Sequence, residues 1–208
     1  DIVAHLRPLQ PLIFPCTNSG YGKGGAEACT EDDLMRPLSL YGTTKVRAEA
    51  EVLRHPLGVS LRLATLYGPS PRMRLDLLVN HFARAAVLAG KISVYEPAFR
   101  RAVLHVGDAA LAVHLAIFRC RELAGRAWNV GAENTTKAEL CEIIKRQLPA
   151  FTWSEAEGRD PDQRDYDVSS ARFSKACGWA PMFSLEAGVG QLLRLFRMPF
   201  DGPGWRNA

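Results

Sequence analysis

The stretch Pro11-Leu12-Ile13-Phe14-Pro15-Cys16-Thr17 is a short apolar run that ends on a hydroxyl. It passes at once into the glycine-punctuated turn Asn18-Ser19-Gly20-Tyr21-Gly22. Further on, Tyr41-Gly42-Thr43-Thr44-Lys45 sets a tyrosine and a lysine four positions apart in a helical stretch. Residues i and i+4 of a helix share a face, so this phenol and ammonium point into one cleft. An ammonium beside a phenol stabilises the phenolate and makes the group a usable general acid or base. Thr17, with Ser19 as a nearby rival, is placed to hold the oxygen whose proton moves. The trio suits hydride transfer at a carbinol. Taken alone, the spacing fits a surface pair contributing about 0.2–0.5 kcal/mol equally well. The surrounding sequence has to decide.

That sequence alternates strand-like and helix-like segments. Strands are expected at 11–17, 58–66, 92–95, 101–105, 126–130 and 151–154. Helices are expected at 38–54, 75–89, 107–122, 136–147, 169–177 and 184–197. Residues 18–37 read as a long loop over the mouth of a site. Gly58 and Gly90 are expected as helix-end residues. Helix 107–122 is apolar on most sides and is expected to be buried. Thr135 or Thr136 is expected to cap helix 136–147, with Glu139 in place for a capping box on Thr136, and Ser184 opens the last helix, whose inner side carries Leu185, Val189, Leu192, Leu193 and Phe196. The tail 199–208 is rich in Pro and Gly and is expected to be loose. Such alternation gives an α/β fold with ligands beyond the carboxyl ends of the strands, where Thr17 and Thr65 fall.

The strand ending in Thr17, the Tyr21-Gly22 turn, Thr30-Glu31-Asp32, Pro37-Leu38-Ser39 and the Tyr41–Lys45 helix form an ordered block. Arg62-Leu63-Ala64-Thr65-Leu66-Tyr67-Gly68-Pro69, Arg101 through Asp108, Trp128-Asn129-Val130-Gly131 and Gly178-Trp179-Ala180-Pro181 follow in order. Together they resemble the extended short-chain dehydrogenase/reductase family, in its nucleotide-sugar epimerase/dehydratase branch, over nearly the whole chain. The resemblance implies the back half of a Rossmann-like doubly wound parallel sheet plus a small mixed α/β substrate-binding subdomain. On it, residues 1–70 hold the C-terminal half of the dinucleotide-binding domain with the catalytic Tyr-x-x-x-Lys, and 71–198 are mainly the substrate-binding subdomain, interleaved with the last Rossmann elements.

The resemblance also implies NAD or NADP as cofactor and a nucleotide sugar as substrate. Tyr41 matches the family's acid/base. Lys45 matches the lysine that lowers the tyrosine pKa and binds the nicotinamide ribose. Thr17 matches the Ser/Thr that bonds the reacting oxygen, and Thr65 is a further cofactor-side candidate where many relatives carry Asn. Asn18, Asn80, Arg101 and Arg164 are the substrate-side candidates. Arg101 would grip the diphosphate, with Arg100 able to share the role, although Ala102 stands where the family usually has Asp. Arg164 is a second phosphate or sugar contact on this reading, or else half of a surface ion pair with Asp160 or Asp162. His105 is expected as a packed histidine, and Asp108 is expected to cap or orient the next helix. Related dehydratases carry an Asp-Glu pair after the Ser/Thr. Here the pair is Asn18-Ser19, which disfavours 4,6-dehydration and favours an epimerase or ketoreductase. Family members commonly pair through the Tyr-x-x-x-Lys helix, so a homodimer is expected, with Val46, Ala50 and Leu53 available on that face.

No Gly-x-Gly-x-x-Gly or Gly-x-x-Gly-x-x-Gly joins a strand to a helix in this sequence. By the family pattern the chain begins just before the strand carrying Thr17. The expectation is a C-terminal part of a longer enzyme, inactive in isolation. A dehydratase, a reductase of non-sugar carbonyls and a non-catalytic binding or regulatory homologue are the rival readings. The five cysteines lack metal-ligand spacing and suit a reducing, cytoplasmic setting. No metal site is expected. A net charge of +4 without a basic aromatic-interleaved stripe gives no call for nucleic acid. The absence of an apolar run of about 18 residues gives none for a membrane.

Overall fold

The computed structural model describes residues 3–7 and 9–198, so the expected loose tail lies outside the described residues. Eight strands are described: β1 Leu12–Thr17, β2 Gly58–Leu63, β3 Thr65–Tyr67, β4 Lys91–Val94, β5 Arg100–His105, β6 Arg126–Val130, β7 Glu133–Thr136 and β8 Thr152–Glu155. The helices are α1 Leu40–Val52, α2 Leu78–Leu88, α3 Val106–Phe118, α4 Cys120–Leu123, α5 Lys137–Gln147, α6 Ala171–Cys177 and α7 Leu185–Arg197.

The first sheet has the order β1-β2-β6, with both pairings parallel. Parallel strands need covered faces, and the central β2 meets that demand. Every residue from Gly58 to Arg62 is buried. Its apolar core brings Val59 and Leu61 of β2 together with Ala112 and Ala116 of α3 and with Trp128 and Phe173. A second sheet has the order β3-β5-β7, parallel then antiparallel, and a third pairs β4 with β8. A second core lies between α2, α5 and α7 and is built on Val79, Phe82, Leu140, Ile144, Phe151 and Leu192.

Several sequence expectations need correction. The strand expected over 58–66 is two strands. Ala64 still bonds to Val130 of β6 at 2.9 Å, after which the chain leaves for the second sheet. Gly58 does not end a helix but opens β2, where an added Cβ would stand 1.9 Å from the Val52 carbonyl oxygen. Gly90 does sit at positive φ (65°) just past α2. The helix expected over 107–122 breaks at Arg119, and its last turn leaves Ile117 and Phe118 exposed. Asp108 does not cap that helix, because His105 does. Asp108 instead accepts the backbone N–H groups of Met182 and Phe183 at 2.8 and 3.2 Å, ahead of α7. Strand β7 was not expected. Its Thr136 doubles as the N-cap of α5, and the expected capping box with Glu139 is formed in both directions.

Phe173 is fully buried between Trp128 and Trp179, with ring centroids 6.2 and 5.9 Å away. Phe173→Ala is expected to lower unfolding stability by about 3–5 kcal/mol in a urea titration. A loss under about 1 kcal/mol would mean that this aromatic cluster is not part of the first core.

Candidate active site

The site is built where β1 ends and α1 begins. Ser39 caps α1 by accepting the Gly42 N–H at 3.1 Å, which places Tyr41 and Lys45 in the first turns. Lys45 reaches back to β1. Its Nζ donates to the Pro15 carbonyl at 2.8 Å and lies 4.8 Å from the Phe14 ring centroid and 5.9 Å from that of Tyr41. The Cys16 thiol donates to the Lys45 carbonyl at 3.7 Å and joins the same two elements. Tyr41 itself is 56% exposed and free to meet a ligand.

Thr17 is buried at the end of β1. Its Oγ1 accepts the Ser19 backbone N–H at 3.1 Å and donates to Ser19 Oγ at 3.0 Å. A cleft of about 1280 Å³ opens over this junction and is lined by Thr17, Ser19, Tyr41, Lys45, Thr65 and Arg164 among others. The expected catalytic trio and the cofactor-side Thr65 thus share one cavity.

The substrate-side candidates divide. Arg164 lines the cleft. Its Nε and Nη2 donate to Asp162 at 2.6 and 2.5 Å, and its Nη1 donates to Ser19 Oγ. Burial opposes its charge, but the Asp162 carboxylate outweighs that and holds the guanidinium above its ordinary value. Asn80 also lines the cleft, yet both its polar atoms are committed. Oδ1 accepts the Gly68 N–H at 3.1 Å and Nδ2 donates to the Arg74 carbonyl at 2.9 Å. Arg101 lies behind the cleft, 4% exposed, donating to the carbonyls of Arg100, Asp162 and Arg164. Arg100 is occupied by Asp165, Asp167 and the Gly25 carbonyl. Asn18 is enclosed beneath the turn, and both its side-chain polar atoms lack a protein partner. His105 is packed on Phe183 at 4.1 Å, bonded to Gln191, and burial lowers its pKa.

Sequence reading missed the network beneath the site. Glu49, one turn beyond Lys45, is 5% exposed and accepts Arg62 Nη2 at 2.7 Å and Ser60 Oγ at 2.7 Å. Arg62 Nη1 donates to the Tyr21 hydroxyl at 2.9 Å, and that hydroxyl lies 2.8 Å from both Asn129 Oδ1 and the Thr30 carbonyl, the two acceptors open to its single proton. A usable signal was present, since an arginine inside an otherwise apolar buried strand requires a carboxylate partner. Burial works against the Glu49 charge. The bonds from Arg62 and Ser60 overcome it and hold the carboxyl below its ordinary value. Burial pushes the neighbouring Cys16 thiol up to about 12. Among the described residues no group of His, Cys, Asp or Glu is arranged to hold a metal, and no helix is long and apolar enough to cross a membrane.

Comparison with known proteins gives concordant results. Residues 2–131 match the NAD dependent epimerase/dehydratase family. The chain is 28% identical over 182 residues to a dTDP-glucose 4,6-dehydratase of Streptomyces griseus, covering 83% of this chain and 54% of that protein. It is 31% identical over 170 residues to a dTDP-L-rhamnose 4-epimerase of Burkholderia thailandensis, covering 76% and 46%. The chain therefore spans about half the length of the curated relatives it matches. The crystal structure of dTDP-glucose 4,6-dehydratase from Bacillus anthracis, in complex with NAD, superposes with a TM-score of 0.76 at 22% identity, over 91% of this chain and 62% of that one.

The buried ion pair makes a testable demand. Glu49→Ala leaves Arg62 charged and buried without its partner and is expected to cost about 3–5 kcal/mol in urea unfolding. Because the folded carboxyl sits below its ordinary 4.5, its contribution is present above that pH and lost as pH falls through the folded value. Glu49→Gln is expected to flatten the acid limb of the stability–pH curve. An acid limb unchanged by Glu49→Gln would refute the assignment.

Proposed function

The chain belongs to the NAD dependent epimerase/dehydratase family, and from that premise we propose that it carries the proton-handling part of a hydride-transfer site for a nucleotide-sugar carbinol. The observation that carries this reading is the convergence of Thr17, Tyr41 and Lys45 on one cleft with Arg164. Tyr41 takes the proton from the sugar hydroxyl as hydride leaves the carbon. Thr17 holds the same oxygen by a hydrogen bond, and Lys45 keeps a positive charge beside the phenol.

A nicotinamide cofactor, NAD or NADP, supplies the hydride acceptor and donor when bound. Lys45, Tyr41 and Thr65 fit its nicotinamide-ribose end: they line one cleft, and Lys45 bonds only a backbone carbonyl there, leaving further N–H donors. A glycine-rich strand-to-helix turn for a pyrophosphate is not among the described residues. The reading therefore assigns these residues to the reacting end alone. Residues 1–70 are read as the cofactor side, and 71–198 mainly as the substrate side, interleaved with the last elements of the first domain, since Ala112, Trp128 and Phe173 pack in one core with Val59 and Leu61.

On the substrate side, Arg164 is the anion grip, since it lines the cleft and a guanidinium fork matches phosphate oxygens. Arg101 acts from behind by holding the 160s loop through its carbonyls. Asn80 supports the floor, and Asn18, next in sequence to Thr17 but enclosed beneath the turn, acts from below. Asn18 and Ser19 are poor proton carriers near neutral pH. The reading is therefore an epimerase or ketoreductase rather than a 4,6-dehydratase. A homodimer through α1 is part of it, as Val46 and Leu53 are only half-buried and Ala50 is exposed there. The five cysteines are buried as free thiols, which supports a reducing, cytoplasmic setting.

The test is turnover of a dTDP-hexose with NAD or NADP in a preparation active in that reaction. Tyr41→Phe is expected to cut turnover by roughly 10²–10⁴. Near-normal turnover would remove Tyr41 from the proton step.

A further inference from the structure

Asp162 stands between two arginines. Towards the cleft it takes both prongs of Arg164, Nε at 2.6 Å on Oδ1 and Nη2 at 2.5 Å on Oδ2. On its other side Oδ2 lies 3.5 Å from Nη2 of Arg101. The two arginines are in opposite states. The fork of Arg164 is full, with its remaining Nη1 on Ser19 Oγ. Arg101 is buried, spends its bonds on backbone carbonyls, and has Asp162 as its ion-pair partner among the described residues, at a loose distance. An arginine cannot present its fork to an anionic ligand while a carboxylate of its own chain occupies it.

We propose that Asp162 is an internal ligand of Arg164, which an anionic group of the substrate must displace, and that the displaced carboxylate closes on Arg101. This rests on the reading of Arg164 as the anion grip and adds a condition to it. Exchange of this kind strands no charge, because Asp162 keeps a cation and Arg101 gains a full partner. A ligand carrying one carboxylate-like charge gains little over the resident carboxylate. A diphosphate brings more charge and more acceptor oxygens to the same fork and gains substantially. The exchange also reaches the reacting end, since the Ser19 Oγ that holds Arg164 receives the Thr17 hydroxyl at 3.0 Å. Asp162 thus sets the charge that a ligand needs before Arg164 is released to it.

The test is calorimetric titration of the full chain with inorganic pyrophosphate at about 0.15 M ionic strength, where the Debye length is about 8 Å. It compares the unaltered chain with Asp162→Asn, Asp162→Ala, Arg164→Met and the double variant Asp162→Asn/Arg164→Met. Asp162→Asn is expected to tighten pyrophosphate binding about tenfold, with Asp162→Ala acting in the same direction. In the Arg164→Met background, Asp162→Asn is expected to change binding by no more than about twofold, the effect of one charge in a solvent-screened cleft. Unchanged or weaker binding in both Asp162 variants overturns the internal ligand. Equal tightening with and without Arg164 does the same. If Arg164→Met binds pyrophosphate as tightly as the unaltered chain, or if no chain binds it, the reading of Arg164 as the anion grip fails instead.

Discussion

The buried pair of Glu49 and Arg62 locks helix α1 onto the first sheet. Glu49 belongs to α1, four residues past Lys45, and Arg62 to the central strand β2. Between them they engage Ser60 on the same strand, Tyr21 in the turn after β1, and through Tyr21 also Asn129 on β6. One polar cluster therefore ties the helix bearing Tyr41 and Lys45 to every strand of the first sheet or to its exit turn. An apolar substitute of equal volume could match the stability of such a pair, but it would not fix direction as paired hydrogen bonds do. The site needs direction, because Thr17 comes from β1 and Tyr41 from α1, and they must meet across one cleft.

The far wall of the cleft obeys the same logic with a different segment. Loop residues 156–165 carry Arg164 but have no strand or helix of their own to stiffen them. They hang instead on buried cations. Lys137, 3% exposed, bonds Asp160 at 2.5 Å, and Arg101 holds the carbonyls of Asp162 and Arg164. Arg100 adds Asp165 and reaches the Gly25 carbonyl across the cleft's outer loop. Three basic residues that would look like ligand contacts in a list are thus mostly consumed in shaping the wall. Arg164, which they position, faces the cavity, as Arg72 and Arg74 also do from the opposite segment of the chain.

Sequence reasoning reached the parts governed by local rules. The Tyr41–Lys45 helix follows from i, i+4 spacing and the Ser39 cap, and the α5 capping box from Thr136 and Glu139; Thr17 does end β1, but Thr65, expected at a strand's carboxyl end, opens β3. It did not reach the partners that a residue finds at a distance in the chain. Asn80 is committed to Gly68 and Arg74, Arg101 to carbonyls some sixty residues away, and Asp108 to the 182–183 backbone. No local pattern marks those partners. Gly58 illustrates the same limit. It reads as a helix terminator, but it is required because the backbone of Val52 passes too close for any side chain. The division of the 58–66 run at Ala64 depends on β3 finding β5, a long-range pairing invisible to periodicity.

Thr17, Tyr41 and Lys45 are proposed to serve hydride transfer rather than proton abstraction at carbon. The most direct measurement is a single turnover with a nucleotide hexose deuterated at the reacting carbon, followed by the absorbance of reduced nicotinamide and by the fate of the label. The account predicts transient reduced cofactor, slower formation with the deuterated sugar, and deuterium retained between sugar and cofactor. Product formed with the label washed into water, and without reduced cofactor at any time, would contradict it.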